Sequence, residues 1–459
     1  MLLLPKGGPV GMVNEEEGKR PKRSLFGFFR GEASAEVGEE SDFARLRSQQ
    51  QARREEASDA DRRMAMEAAA DRHGRIDQLG ESLRETALQV LEEETRSQGD
   101  EGGCELVLVV DEDMLIHTFT KAALGDEQGD IALVDALNGA EEHRLDLHRN
   151  WTSVLAATRD GGHVASGSLD RQVSLLSAVN AEPLGTIELE DPVSALAFSD
   201  DGQFLATGTS AGQMAVHNLE DGTVVCRSSH EKRVAKLAFS HDGRFLAVGA
   251  PSLDGAQPTV RVLSLPDGEE RHRFDHGTVI DALAFSSDAS HLALGGLDPT
   301  SLLVGLEDAS SMSIDVVTGS KVLAMSPAEG LLVSGGRDGW LRLIEMDGTL
   351  RFSEPFEGSL LDVAFSGDGK EIGIGYDDGR LEVRSGMDGR VLRTVECSTD
   401  MKPISLVLLR GQRLHDDVVA ALKPVLAEIE SGGFVIDVPH VRANGEVWEA
   451  AMAVKWSWG

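Results

Sequence analysis

Ala195-Leu-Ala-Phe-Ser-Asp-Asp-Gly-Gln-Phe-Leu-Ala-Thr-Gly208 is the stretch on which the fold turns. Apolar runs stand on both sides of Asp201-Gly202, and Asp-Gly suits a tight hairpin because Gly tolerates positive φ. The stretch therefore reads as two antiparallel strands. It returns as Lys236-Leu-Ala-Phe-Ser-His-Asp-Gly-Arg-Phe-Leu-Ala-Val-Gly249, then from Ala282 as Ala-Leu-Ala-Phe-Ser-Ser-Asp, and from Asp362 as Asp-Val-Ala-Phe-Ser-Gly-Asp-Gly. Phe198, Phe239, Phe285 and Phe365 lie 41, 46 and 80 residues apart, and Val322-Leu-Ala-Met325 halves the last interval. Val154-Leu-Ala-Ala157 stands 41 residues before Phe198. A fixed period near 41 marks a stacked repeat architecture.

Each period holds four strand signals. In one they are Val193–Phe198, Phe204–Thr207, Gln213–Leu219 and Thr223–Arg227, with a second turn at Asp221-Gly222. The same turn recurs at Asn138-Gly139, Asp267-Gly268, Asp347-Gly348 and Asp388-Gly389. Four antiparallel strands per ~40 residues make one propeller blade. Blades begin near 105, 151, 192, 233, 278, 320 and 359, so the fold class is mainly β, a seven-bladed β-propeller. Glu105–Val110 is taken as the first blade's inner strand, which makes repeat and blade boundaries coincide and closes the ring without strand exchange between the chain ends.

The pattern Ala-Phe-Ser-x-Asp-Gly, followed by a strand ending in Gly, resembles the WD-repeat (WD40) family. Ser166-Gly-Ser-Leu-Asp170 and Ser334-Gly-Gly-Arg-Asp338-Gly339 match its turn between second and third strands. The resemblance implies a buried structural network of Asp, His and Ser/Thr. Asp170, Asp338 and Asp378 match the Asp; His148, His230 and His276 match the His by standing before a new inner strand. The Trp-Asp pair is absent: its slots read Leu176-Ser177, Asn218-Leu219, Leu263-Ser264 and Glu345-Met346. The repeats are degenerate, and apolar packing has to replace the missing network members.

No catalytic constellation stands out, and no cofactor or metal site is expected. His143, His148, His230, His272 and His276 read as residues of inter-blade loops, without His-x-x-x-His or Cys-x-x-Cys spacing. The abundant carboxylates sit in hairpin turns. Three cysteines make no disulfide framework and read as reduced thiols; Cys104 and Cys397 flank the repeat region, and the geometry of ring closure decides whether they meet.

Four regions follow: 1–40, a disordered arm; 41–98, helical; 105–400, the propeller; and 401–459, a small α/β extension. The arm carries Lys19-Arg-Pro-Lys-Arg23, which resembles a nuclear import signal, and an aromatic island with Phe26, Phe28 and Phe29 that suits docking. In the helical stretch, Ile76, Leu79, Leu83 and Val90 form one apolar stripe, fit either for the propeller flank or for a partner helix in a short coiled coil. A helix ahead of seven blades is similar in layout to G-protein β subunits. In the tail, Ile404–Leu409 reads as strand, His415–Glu430 as helix with Pro424 as a kink, Phe434–Val438 as strand and Glu446–Trp456 as a last helix. Trp456 and Trp458 either bury against the ring or anchor another subunit.

The formal charge of −34 disfavours nucleic acid and anionic membranes as partners. No apolar run reaches the ~18 residues of a membrane span. The expected function is a non-enzymatic scaffold in a larger complex, cytoplasmic or nuclear, with other protein subunits as partners. The alternatives are an enzyme or ligand-binding propeller working at the channel mouth, and a signalling subunit resembling G-protein β.

Overall fold

The recurring hairpin is a closed set of hydrogen bonds. The Ser199 hydroxyl donates to Asp201 Oδ1 (2.5 Å) and accepts the Phe204 N–H (2.9 Å), while Asp201 Oδ1 also accepts the Gln203 N–H (3.0 Å). Ser240 with Asp242, Ser286 with Asp288, Ser366 with Asp368, and Thr158 with Asp160 repeat the arrangement. Phe-Ser-x-Asp-Gly thus supplies its own turn chemistry, which is why it recurs blade after blade.

The computed structural model describes Arg75 and residues 101–110, 114–251, 260–276, 279–298, 300–307, 310–315, 319–328, 330–431, 434–436, 440–444 and 447–457. The chain divides into two units, Met1–Asp71 and Arg72–Gly459, and everything described belongs to the second. The arm, and the helical stretch apart from Arg75, lie outside the described residues.

Seven four-stranded antiparallel sheets form the blades of a propeller. Blade 2 consists of Thr152–Ala157, His163–Ser168, Gln172–Ser177 and Pro183–Glu188, from inner to outer strand. Blades 3 to 7 repeat this order, with inner strands Val193–Phe198, Lys236–Phe239, Ile280–Phe285, Ser320–Met325 and Leu360–Phe365. Each inner strand lies against that of the next blade.

Blade-to-blade packing explains the Gly that ends each second strand. A Cβ on Gly208 would fall 2.5 Å from Val234, just ahead of the next blade's inner strand, and one on Gly167 would fall 2.5 Å from Val193. Gly125 and Thr152, Gly249 and Ile280, Gly335 and Leu360, and Gly375 and Leu406 make the same close approach. The missing side chain is a socket for a residue at the start of the neighbour's inner strand.

The last of these pairs shows how the ring closes, and it corrects the reading of blade 1. The innermost strand there is Ser405–Leu414, from the tail, followed by Leu115–Gly125, Asp130–Asp135 and Glu141–Asp146. Ser405–Leu414 lies against the inner strands of blades 7 and 2. Strand exchange between the chain ends therefore closes the ring, contrary to expectation. Glu105–Val110 belongs to Glu101–Val110, which pairs along its length with Val447–Ser457 in a separate sheet. Phe434–Ile436 and His440–Asn444 take the other edge of Val447–Ser457.

Val447–Ser457 was expected as helix over Glu446–Trp456. Its Ala content favours helix, but partners on both edges decide for strand, and Trp448, Ala450, Met452, Val454 and Trp456 fit a period of two. The helix Asp416–Ser431 runs on through Pro424 and buries Val418 and Leu422. Among the described residues, no helix is long and apolar enough to cross a membrane.

Candidate interaction surface

Pairing register fixes the slots of the expected network. Val164 faces Leu176, Leu205 faces His217, Leu246 faces Leu263, Leu332 faces Ile344 and Ile372 faces Arg384. The slots read as Asn218 and Glu345 are thus one residue off, and hold His217 and Ile344.

Blade 2 brings three network members together. His148 Nε2 lies 2.8 Å from Ser166 Oγ, and Nδ1 lies 3.3 Å from Asp170 Oδ2. Asp170 also accepts the N–H groups of Arg149 and Gln172, each at 2.9 Å. Burial pushes the His148 imidazole down against the pull of Asp170, so the ring is neutral near pH 7. Burial works to raise Asp170, but the amide donors and His148 hold its carboxyl below the usual range. The apolar Leu176 packs where the family's Trp would stand.

The other blades depart from this. In blade 3, His217 in the Trp slot meets Thr207 Oγ1 at 3.1 Å. His230 is buried in the loop into blade 4, with Ser228 Oγ 3.4 Å from Nε2, and burial plus the Arg261 charge push it down to about 4. His276 is buried before blade 5, where burial outweighs the charge of Asp298 and lowers it. Asp338 is engaged by Arg342 of the next strand rather than by a His. Asp378 accepts the Arg380 N–H (3.0 Å), and the blade 7 loop brings Phe356 edge-on to Tyr376, ring centroids 6.3 Å apart. His143 and His272 stand in fourth strands, not in inter-blade loops.

The antiparallel order puts two sets of loops at one end of the ring: those entering each inner strand and those joining second to third strands. This end is the upper face. Four of the exposed large apolar residues lie on it: Trp151, Leu169, Leu297 and Trp340, with Trp151 at 45% exposure. Trp151 and Leu169 belong to the same corner of blade 2, where Trp151 O accepts the Leu169 N–H (3.1 Å). Composition gave no signal for this corner, because single Trp and Leu residues in loops look like any others. Only the ring geometry makes them neighbours.

At the opposite mouth of the channel, equivalent turn positions of blades 2, 3 and 4 carry Arg159, Asp200 and His241. Asp200 is bonded by both of its neighbours. Asp362, on an inner strand, accepts the Leu408 N–H (3.0 Å), and Arg410 donates to the Phe365 carbonyl (2.6 Å). Each of these groups has a hydrogen-bond partner, and no cluster of three metal-ligating side chains occurs among the described residues. A cleft of about 310 Å³ opens on the rim of blade 4, between Phe245, Leu265, Arg244 and Arg271, away from both mouths.

Of the remaining expected contact residues, Phe26, Phe28, Phe29, Ile76, Leu79, Leu83, Val90 and Trp458 lie outside the described residues. Trp456 stands in Val447–Ser457, opposite Gly102 and Phe434. Cys397 is a free thiol packed against the core of blades 7 and 1, while Cys104 stands opposite Val454 in the terminal sheet.

The family described as "WD domain, G-beta repeat" matches residues 181–226 and 222–256. The match falls on blades 2, 3 and 4 of the seven four-stranded blades and is consistent with a WD-repeat propeller. The chain is a seven-bladed β-propeller that carries WD-repeat matches over residues 181–256. The first match begins just ahead of blade 2's outer strand and runs through three strands of blade 3, so the repeat is offset from the blade. No curated protein matches the sequence. Among solved structures, the crystal structure of the computationally designed Ika8 protein is similar, with a TM-score of 0.51 and 20% identity. The likeness covers 75% of this chain and 95% of that one and concerns the fold alone.

Proposed function

We propose that this WD-repeat propeller is a non-enzymatic interaction scaffold, a subunit of a larger assembly that holds a partner on its upper face. WD propellers commonly mediate protein–protein interaction, and the observation that supports the reading here is the blade 2 corner. An exposed Trp and Leu are mounted there on the one described blade that assembles Ser, His and Asp. Aromatic residues on a rigid support are the usual anchors of interfaces.

The test is affinity purification from native extract with the full chain and with a Trp151→Ala, Leu169→Ala form, read by quantitative mass spectrometry. A partner recovered in fixed proportion with the first and lost with the second is the expected result. A monomer without a stable partner, carrying a bound small molecule, would sink it. That outcome belongs to the alternative of a ligand-binding propeller or enzyme, which the cluster of Arg159, Asp200 and His241 at the opposite mouth favours.

A further inference from the structure

We infer that the blade 2 corner docks an acidic segment, one in which carboxylates flank a large apolar side chain. This rests on the scaffold reading and gives its partner a chemistry. Arg149, Trp151, Leu169 and Arg171 are all exposed at this corner. Most described arginines lie within ion-pair distance of a carboxylate, as Arg144, Arg244, Arg337 and Arg351 do. Arg149 and Arg171 make no such pair among the described residues, although Glu127, Glu190 and Asp191 belong to neighbouring upper loops. Two unmatched guanidinium groups beside an indole form a surface suited to carboxylates and an apolar group together.

The corner is also built to hold its shape. Arg149 N–H is tied to Asp170, Ser168 Oγ donates to the Asn150 carbonyl (3.0 Å), and the Arg171 carbonyl accepts the Leu189 N–H (2.9 Å). Arg171 has a φ of 74°, in the left-handed region. The same turn position in blades 1, 3, 6 and 7 is Gly129, Gly212, Gly339 and Gly379, each at positive φ. A non-Gly residue in this region costs roughly 1–2 kcal/mol. Blade 2 thus keeps an exposed Arg where four other blades keep Gly, an unfavourable choice for the turn that a charged contact would justify. The chain's −34 charge repels acidic partners at long range, but at 0.15 M salt the Debye length of ~8 Å confines the balance to local contacts.

The probe is a displayed library of random twelve-residue peptides selected on the purified full chain at 0.15 M salt. Selected sequences are then made as fluorescent peptides, and their binding is read by polarisation. Asp or Glu on both sides of Leu, Phe or Trp is the expected enrichment. An Arg149→Glu, Arg171→Glu form should bind these peptides at least tenfold more weakly. Arg171→Gly should also bind more weakly while melting at or above the parent temperature, since Gly relieves the turn, so loss of fold cannot account for the loss of binding. Basic or uncharged selected sequences, or equal binding to the charge-reversed form, would overturn the acidic chemistry. If such peptides still depend on Trp151, shown by Trp151→Ala, the scaffold face stands without its proposed partner class. A library yielding no binder, or binders indifferent to all these variants, removes both readings.

Discussion

At the scale of single residues, the ring is held by a Gly socket that recurs from blade to blade. Gly208→Ala puts a methyl group 2.5 Å from Val234, which is fully buried in the segment leading into the inner strand of blade 4. Overpacking of this kind costs about 1–3 kcal/mol, and thermal unfolding should show it as a lower midpoint. Asp170→Ala removes the acceptor of two amides and of His148 at once, a cost of about 1–3 kcal/mol. Amide exchange should then quicken at Arg149 and Gln172 while the hairpin amide of Phe204 keeps its protection. Much at this scale was legible in the sequence. Ser166, Asp170 and His148 stand at family spacing, and the Asp-Gly turns announce themselves. The Trp slots were harder, because a strand position is defined by its partner across the ladder, and His217 and Ile344 are adjacent in sequence to the residues that seemed to fill them.

At the scale of elements, blades 2 to 7 could be read from the period because all four strands of each are consecutive. Blade 1 could not, since its inner strand arrives from some 280 residues away along the chain. Two apolar strands competed for the place. Glu101–Val110 has the better local position, but it finds Val447–Ser457, and Ser405–Leu414 seats Leu406 and Leu408 in the core of blades 7 and 1 beside Phe119. Ending the chain after residue 404 removes that strand and should leave a ring without a single cooperative transition, with dye binding at the uncovered faces of blades 1 and 7. Ending it after residue 414 keeps the closing strand and should preserve one main transition. Leu406→Ala in the full chain should cost about 2–5 kcal/mol, as truncation of a buried Leu does. Equal melting of the two truncated forms would mean that Ser405–Leu414 does not close the ring.

At the scale of the whole molecule, buried neutral imidazoles and dense acidic charge set the response to pH. Burial lowers His148, His217, His230 and His276, the third to about 4. A lowered imidazole is neutral when folded and protonates more readily when unfolded, where its pKa is ~6.5. The unfolded chain therefore binds more protons, and stability falls as pH drops below ~6.5, until the folded imidazole titrates as well. For His230 alone the loss is about 2 kcal/mol at pH 5. Carboxylates held low by hairpin hydrogen bonds, such as Asp288 at about 2, keep their contribution until the pH falls below the ordinary carboxylate range. Relief of self-repulsion as pH approaches the sequence pI of 4.7 acts in the opposite direction. Salt separates the two effects, because it screens surface repulsion and leaves the desolvation of buried rings largely untouched. In 0.5 M salt the melting temperature should fall between pH 7 and pH 5, and His230→Leu should flatten that fall while leaving the acid limb below pH 4 in place. If parent and His230→Leu forms share one slope across the window, His230 is not held neutral in the folded ring. The loop into blade 4 would then have to open to water around His230, which is buried in the folded ring.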